Sequence, residues 1–108
     1  YQNGRGGWDR SWRNDRRYDW YGHRARYNNI YRLDRYYSPY RDWRYRRLDI
    51  GFSLWPLFYS QQHWINDPWY YRLPEAYGPY RWVRYYDDAL LVDLRTGQVV
   101  DVINGVFW

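Results

Sequence analysis

The strongest constraint on the fold comes from three short segments near the C-terminus that have the composition and spacing of β-strands. Residues 80–86 alternate along the chain and are dominated by aromatic and β-branched side chains, and residues 89–94 and 98–104 have the same character. Asp87 and Asp88 stand between the first two segments, where adjacent aspartates favour a tight turn through hydrogen bonds between side chain and backbone. The pattern predicts an antiparallel meander of three strands.

The loop between the second and third segments predicts their register. We expect Arg95–Gly97 to form a three-residue hairpin loop in which Gly97 adopts the left-handed backbone conformation as part of a bulge. A two-residue loop would place Asp101 among the aliphatic side chains, because a one-residue slip reverses the faces of a strand. The predicted pairs are Leu94 with Gln98, Val92 with Val100, and Leu90 with Val102, and the other face then collects Asp93, Val99 and Asp101.

The same stretch resembles a known protein family. The runs YRLP (71–74), YGPYRWVRY (77–85) and DDALLVDLRTGQVVDVI (87–103), with a final FW, are similar to the C-terminal half of RcnB-type proteins. The resemblance is dense over residues 64–108, weaker over 46–63 and compositional before that. It implies a small exported protein of the bacterial periplasm that is associated with nickel and cobalt homeostasis. It carries over no ligand and no catalytic residue to this chain.

Length and composition set the class of protein. A chain of 108 residues is long enough for one domain with an additional arm. It contains no cysteine, which excludes disulfides, thiol catalysis and thiolate metal sites, and it has no apolar run of the length that crosses a membrane. Because the chain begins with Tyr1 and not with methionine, we expect a processed or a truncated start, with any signal peptide outside this chain. The expected location is periplasmic or extracellular, with the signal peptide removed.

Charge divides the chain into two parts. Residues 1–47 hold 13 Arg against 5 Asp, whereas residues 48–108 hold 4 Arg against 7 acidic residues. The first part is therefore strongly basic and the second mildly acidic. We predict a basic aromatic N-terminal arm over 1–47 and an RcnB-like β module over 48–108. The predicted fold class is mainly β, a small α+β fold in which an antiparallel meander is joined by an irregular Arg/Tyr/Trp-rich arm with one short helix.

Two further elements are predicted from local patterns. Asp19 is a suitable helix N-cap, and aromatic and basic side chains recur at helical spacing after it, so a helix is expected within residues 19–33. Apolar and polar side chains alternate over residues 48–54, which is typical of a half-buried strand that Pro56 would end. This strand would join the meander.

The arm combines guanidinium groups with aromatic rings. All 17 basic residues of the chain are arginines, and the chain contains 16 Tyr and 9 Trp. Guanidinium groups stack on rings and bind carboxylates, phosphates and sulfates through paired hydrogen bonds. The predicted interaction residues are Trp8, Trp12, Arg13, Arg16, Arg17, Trp20, Arg24, Tyr27, Tyr31 and Trp43. Two interpretations stay open: the rings pack on the chain's own module or another subunit, or they bind an anionic polysaccharide, with nucleic acid disfavoured.

The free-energy cost of ordering this arm favours a partner. Fixing the backbone of each residue costs roughly 1–2 kcal/mol, and burying a large apolar side chain returns about 1.5–3 kcal/mol. Residues 1–18 contain no Leu, Ile or Val, and a few tryptophans cannot offset the ordering of 47 residues. We therefore expect the arm to bind a surface outside its own module, in a protein partner or a homo-oligomeric assembly.

Candidates for metal binding and catalysis are sparse. His23 and His63 are the only histidines and lie 40 residues apart, and Asp87 and Asp88 are the adjacent carboxylates that could add ligands. A tight transition-metal site usually needs three or four ligands with supporting hydrogen bonds, so these four residues are weak candidates. No GxSxG, HExxH or phosphate-binding loop motif is present, so we expect neither a cofactor nor an enzymatic activity.

These observations favour a non-enzymatic exported accessory protein that resembles RcnB-type nickel and cobalt homeostasis proteins and acts through protein–protein contacts. The alternative is a structural or assembly subunit of a cell-envelope or membrane-associated complex or filament, with the Arg/aromatic arm as an interaction strap. Binding of an anionic polysaccharide is a weaker third hypothesis. The oligomeric state of the native particle would best discriminate between them.

We expect no tight nickel or cobalt site on the isolated chain. A calorimetric titration with Ni²⁺ or Co²⁺ should show no sub-micromolar binding, because the candidate ligands lack the number and spacing of a metal site. Sub-micromolar binding that disappears in His23→Ala or His63→Ala would contradict this expectation and restore a direct ligand role.

Overall fold

The structure, a computed structural model, describes residues 8–108 and consists of one small sheet wrapped by largely irregular chain. Residues 1–7, the start of the predicted arm, lie outside the described residues. The sheet contains β1 (Tyr80–Tyr85), β2 (Asp88–Asp93) and β3 (Gln98–Ile103), and the described chain forms one α-helix, α1 (Trp20–Arg26). Short 3-10 helices lie at Arg10–Asn14, Arg16–Tyr18, Asn28–Tyr31, Pro56–Tyr59, Gln61–His63 and Pro68–Tyr71.

The three strands form the predicted antiparallel meander, in the order β1-β2-β3. Tyr85 pairs with Asp88, so the turn between β1 and β2 consists of Tyr86 and Asp87. Tyr86 has a φ of 53°, and a positive φ in such a short loop matches the twist of the two strands. The turn therefore begins one residue earlier than the predicted Asp87 and Asp88, and Asp88 is instead the first residue of β2.

The loop between β2 and β3 is longer than predicted. Asp93 pairs with Gln98, which leaves a loop of four residues that ends at Gly97. Gly97 has a φ of 78°, so its predicted left-handed conformation is confirmed, and its N–H donates to the carbonyl of Asp93 at 2.7 Å. The extra residue enters because the Asp93 carboxylate accepts a hydrogen bond of 2.9 Å from the backbone N–H of Arg95 and closes a local turn.

A bulge changes the register along β3. Leu91 pairs with Asp101 whereas Val92 pairs with Val99, so Val100 has no partner in the β2–β3 ladder. Two residues of one strand then lie opposite one of the other, which is the definition of a bulge. The predicted pairs of Leu94 with Gln98 and of Val92 with Val100 are therefore wrong, and the pair of Leu90 with Val102 is confirmed.

Both faces of the sheet are buried. The buried cluster on the first face contains Leu48, Leu54, Phe58, Val83, Tyr85, Leu90, Val92 and Val99. The buried cluster on the second face contains Trp12, Tyr31, Leu73, Tyr80, Trp82, Ala89, Leu91, Ile103, Val106 and Phe107. Val99 thus lies with Val92, contrary to the prediction, because the bulge changes which side chains share a face. All six residues of β2 are buried, as expected for a central strand covered on both sides.

The predicted strand at residues 48–54 is wrong, although this segment lies along the outer edge of β3. The backbone N–H of Gly51 donates to the carbonyl of Val99 at 2.7 Å, and the backbone N–H of Leu54 donates to the carbonyl of Gly97 at 2.8 Å. Within the segment, Ser53 alone forms a β-bridge. A turn interrupts the extended chain at Gly51, whose φ of 97° is incompatible with a regular strand.

The outer edge of β1 is covered in a similar way by the chain that precedes it. Trp64 forms an isolated bridge with Val83, and the N–H of Ile65 donates to the carbonyl of Trp82 at 2.8 Å. Open strand edges favour pairing with other chains. Short loop segments on both sides of this sheet reduce that tendency.

The predicted helix is confirmed in its first half. Asp19 is the N-cap, and its carboxylate accepts a hydrogen bond of 3.0 Å from the N–H of Gly22. The helix ends at Arg26, before the end of the predicted range. Asn28 and Asn29 follow in a 3-10 turn, in keeping with the preference of asparagine for turns over helix interiors.

Gly97→Ala should destabilise the protein more than Gly78→Ala. Both glycines have a left-handed backbone, with φ of 78° and 59°. At Gly97 an added Cβ would lie 2.9 Å from the Tyr59 hydroxyl and 3.1 Å from the Leu54 carbonyl, whereas at Gly78 it would meet no atom of the described residues within 4 Å. We expect losses of about 2–3 and about 1 kcal/mol, respectively, in urea denaturation. Equal losses would contradict the close packing of this loop.

Candidate functional site

One buried carboxylate, that of Asp101 in β3, holds the N-terminal arm against the second face of the sheet. The residue is fully buried, and its oxygens accept hydrogen bonds from the indole N–H groups of Trp8 (2.9 Å) and Trp12 (2.8 Å). Arg13 forms an ion pair with the same carboxylate and donates to the carbonyl of Val102 at 2.7 Å. The arm is thereby fixed to a strand that lies 93 positions away from Trp8 in the sequence.

The surroundings of Asp101 favour its charged form. Burial alone would raise the pKa of this carboxyl, but the hydrogen bonds from Trp12, Arg13 and Trp8 and the charge of Arg13 outweigh that effect, so the pKa of Asp101 lies below its usual value. An unpaired carboxylate in an apolar face would be strongly unfavourable. The arm therefore supplies both the apolar cover of this face and the donors that the buried acid requires.

A second carboxylate, that of Asp88 at the start of β2, connects the arm to the C-terminal segment. Its oxygens accept hydrogen bonds of 2.7 Å from the hydroxyl of Tyr45 and 2.7 Å from the backbone N–H of Gly105. Burial and the bond to Asp88 raise the pKa of Tyr45 to about 12, so this hydroxyl stays a donor. Close by, Trp43 donates its indole N–H to the hydroxyl of Tyr85 at 3.0 Å. The later part of the arm is thus also tied to the sheet.

The predicted interaction residues differ in their exposure. Trp12 and Tyr31 are buried in the second face. The half-buried residues are Trp8, Trp20, Arg24 and Trp43, and the exposed ones are Arg13, Arg16, Arg17 and Tyr27. The described arm therefore has contacts with the chain's own sheet, although the free-energy cost of ordering the arm predicts that this surface is too small to hold it. Binding of the same residues to a separate partner stays a prediction.

A groove of about 480 Å³ opens between the arm and the loops that precede β1. The arm contributes Leu33 and residues 35–37 to its lining, residues 62–67 form another wall, and Tyr70, Tyr71 and Arg84 complete it. Sites for small ligands are typically concavities of this size, lined by apolar and aromatic side chains with a few polar groups.

Three polar side chains of the groove have unusual surroundings. Arg84 donates to the carbonyls of Tyr86 (2.8 Å) and Asp34 (2.7 Å), and burial lowers the pKa of its guanidinium, which still stays a cation. Burial and the charge of Arg84 lower the pKa of His63, so its ring is neutral at pH 7. The hydroxyl of Tyr36 is buried and has no hydrogen-bond partner among residues 8–108, and burial raises its pKa.

The described residues do not fit a metal ion. The Nδ1 atom of buried His23 lies 2.9 Å from the hydroxyl of Tyr31, whereas His63 lies in the groove. Asp87 is exposed at the turn, and both oxygens of Asp88 already accept protein hydrogen bonds. Within residues 8–108, no three His, Asp or Glu side chains lie close enough together to hold a metal. The four weak candidates from the sequence are thus not brought together.

The sequence pattern singled out none of Asp101, Arg84 and Tyr36 as site residues. For Asp101 a signal was available, because it stands between Val100 and Val102 in an aliphatic strand, and a buried acid there requires donors. No local signal marks Arg84 or Tyr36, since the groove is assembled from segments that are far apart in the chain.

Comparison with known proteins identifies one family. Residues 51–101 match the family model of RcnB, described as a nickel/cobalt transporter regulator. This match confirms the resemblance seen in the C-terminal half of the sequence. No curated protein and no solved structure gives a significant match. Across residues 8–108, none of the helices has the length and apolar character needed to cross a membrane.

Asp101→Asn should release the arm from the sheet. The substitution removes the charge that Arg13 and two indole groups bind, so we expect the free energy of unfolding to fall by about 2–3 kcal/mol at pH 7. Limited proteolysis should then cut faster within residues 10–18. Asp49→Asn, at an exposed position, is the matched control and should change stability little. Unchanged stability and proteolysis in Asp101→Asn would contradict the anchoring role.

The loss in Asp101→Asn should also depend on pH. Because the folded-state pKa of Asp101 lies below the unfolded value near 3.8, its contribution is complete above that value and disappears as the pH falls through the lower folded value. Denaturation at several pH values should show a constant difference between wild type and variant down to about pH 4 and a shrinking one below it. A difference that shrinks between pH 7 and 5 would point to another group.

Proposed function

We propose that this chain is a non-enzymatic exported accessory protein of nickel and cobalt homeostasis that acts in the periplasm by contacting another protein. The observation that carries this proposal is the RcnB match over residues 51–101. In this proposal the chain influences the transport of the ion through a protein contact and does not hold the ion itself.

The hydrogen bonds that His23 and Asp88 already form support an indirect role of this chain in metal homeostasis, without direct metal binding. His23 is engaged with Tyr31, and Asp88 is engaged with Tyr45 and Gly105. These contacts belong to the packing of the arm and the C-terminal segment on the sheet. Recruiting the same groups as metal ligands would require the fold to give up those bonds, which costs about 1–3 kcal/mol for each buried group left unsatisfied.

An exposed surface rich in rings and guanidinium groups supports contact with a protein. Large side chains exposed by 44–73 % are Tyr21, Tyr27, Tyr37, Tyr45, Ile50, Trp55, Leu57, Trp69, Tyr70, Tyr77 and Trp108. The guanidinium of Arg72 lies 4.5 Å above the ring of Trp69. Tyrosine, tryptophan and arginine are enriched in the centres of protein interfaces and contribute much of their binding energy.

A second candidate function is that of an assembly subunit. Ile50, Trp55 and Leu57 lie close together in sequence beside the covered edge of β3, and each is about half exposed. Exposed apolar side chains that form one patch are typical of surfaces that bind another protein. Copies of this chain, or envelope proteins, would bind there.

The proposed function predicts a metal phenotype. In the native host, deletion of the gene should change the cellular nickel and cobalt content after growth with added metal, and the full-length gene should restore the parental values. Mass spectrometry of washed cells measures both contents. Equal contents in parent and deletion strain would overturn the role in metal homeostasis.

Variants of the exposed arm test the protein contact in the same strain. Arg16 and Arg17 are exposed, so the double variant Arg16→Gln/Arg17→Gln should fold normally and yet fail to restore the metal content. The Asp49→Asn chain, also altered at an exposed position, is the control that should restore it. Sedimentation of the purified chain separates the two candidate functions, because an assembly subunit forms large particles without any partner.

A further inference from the structure

The groove between the arm and the loops before β1 has the features of a ligand site that the proposed function does not use. It joins three separate parts of the chain: Leu33 and residues 35–37 of the arm, residues 62–67 with Tyr70 and Tyr71, and Arg84 of β1. Its volume of about 480 Å³ lies in the range of sites for small ligands.

The guanidinium of Arg84 provides a fixed positive charge in this groove. The backbone carbonyls of Tyr86 and Asp34 accept its Nε and Nη1 hydrogen bonds and hold the group in place. The ion pairs formed by the described residues involve Arg10, Arg13, Arg17 and Arg95. Arg84 therefore has no carboxylate partner within residues 8–108, although it is half-buried. A partly desolvated guanidinium with free N–H groups is a suitable donor to an anion.

The hydroxyl of Tyr36 is a second donor without an acceptor. The ring of Tyr36 lies beneath the guanidinium of Arg84, at 5.5 Å, and against the ring of His63, at 5.5 Å. Its hydroxyl is the buried side-chain polar atom that finds no partner among the described residues. A buried hydroxyl without an acceptor is unfavourable, so a ligand that supplies an acceptor would be favoured.

The charges that line the groove set the charge of its ligand. Arg35 and Arg84 are cationic and Asp67 is anionic, while His63 is neutral because of its lowered pKa. The lining itself carries a net charge of one positive unit. The carboxylates of Asp87 and Asp34 lie outside the lining, but their charges raise the pKa of Arg84 and so reduce the positive field at its guanidinium. The apolar side chains of Leu33, Trp64 and Ile65 lie in the same lining and offer a surface to the uncharged body of the ligand.

We propose that this groove binds a carboxylate joined to an aromatic or aliphatic body, with Arg84 and Tyr36 as the two donors to the carboxylate. The carboxylate oxygens accept from the free N–H groups of Arg84, a charge-assisted bond of the stronger kind. The Tyr36 hydroxyl is buried, so this contact requires a rotamer change of side chains in the groove, of the kind that side chains at interfaces commonly undergo. This site goes beyond the proposed function, since it needs no metal and no transporter.

Two sources can present this chemistry: a free carboxylic acid, or the C-terminus of a peptide that ends in an aromatic residue. The first probe is 3-phenylpropanoate, and its neutral control is 3-phenylpropanamide. The second probe is acetyl-Gly-Ser-Gly-Phe with a free C-terminus, and its control is the C-terminal amide. Binding to the purified full chain is measured by calorimetry and by nuclear magnetic resonance of the tryptophan indole groups.

We expect saturable binding of at least one acid and at least tenfold weaker binding of its amide. Tyr36→Phe should weaken the acid about fivefold to tenfold without loss of stability, since it removes a hydroxyl that has no partner. Arg84→Gln should abolish measurable binding. The matched controls are Tyr21→Phe, an exposed tyrosine outside the groove, and Arg44→Gln, which removes one charge at an exposed position outside the groove lining. Both should bind as wild type does.

Several results would overturn this site. The site is ruled out if acid and amide bind equally well, or if neither acid shows saturable binding. It is also ruled out if both Tyr36→Phe and Arg84→Gln bind the acid with the affinity of the wild type. Near-ultraviolet circular dichroism shows whether Arg84→Gln remains folded, and if it does not, the comparison of Tyr36→Phe with Tyr21→Phe decides alone. Because these assays contain no metal, their failure is distinct from a failure of the metal phenotype. Binding of the free acid indicates a small ligand, and binding of the peptide alone indicates a chain terminus.

Discussion

The buried carboxylate of Asp101 is the interaction on which the arrangement of the whole chain depends. A sheet of three short strands cannot bury two faces by itself, and here both faces are covered. The second face requires the arm, and it carries a charge that must not be left unpaired. Trp8 and Trp12 meet both needs, because each ring adds apolar area and each indole N–H binds Asp101. Arg13 completes the charge balance.

The segment that matches the RcnB family contains most of the three strands and also chain that precedes them. Residues 51–101 begin with the turn that covers the edge of β3 and include Trp64 and Ile65, which cover the edge of β1. The matched part therefore contains most of the sheet together with both of its edge covers. The arm that buries the second face lies outside the match. Side chains of the arm donate hydrogen bonds to two buried carboxylates of the matched part. Trp12 donates to Asp101, and Tyr45 donates to Asp88.

The groove is built from both of these parts and depends on their docking. Arg84 lies in the matched segment, and Tyr36 lies in the arm. The hydrogen bond from Arg84 to the carbonyl of Asp34 and the one from Leu33 N to the carbonyl of Trp108 (3.1 Å) hold the arm in place at this point. A ligand that binds only the docked arrangement stabilises it by mass action. A carboxylate in the groove would thus strengthen the contact between arm and sheet.

The sequence by itself determined the features that depend on a few neighbouring residues. The three strands, the N-cap at Asp19 and the left-handed Gly97 follow from alternation, capping chemistry and backbone sterics, and each is present. Tertiary structure decided the rest. Val100 forms a bulge in the ladder between β2 and β3. Residues 48–54 do not form a regular strand, because a turn at Gly51 interrupts them. Asp101 accepts a hydrogen bond from Trp8, which is 93 positions away, and Arg84 donates to the carbonyl of Asp34, which is 50 positions away. No local sequence pattern specifies which distant donor reaches a buried acceptor.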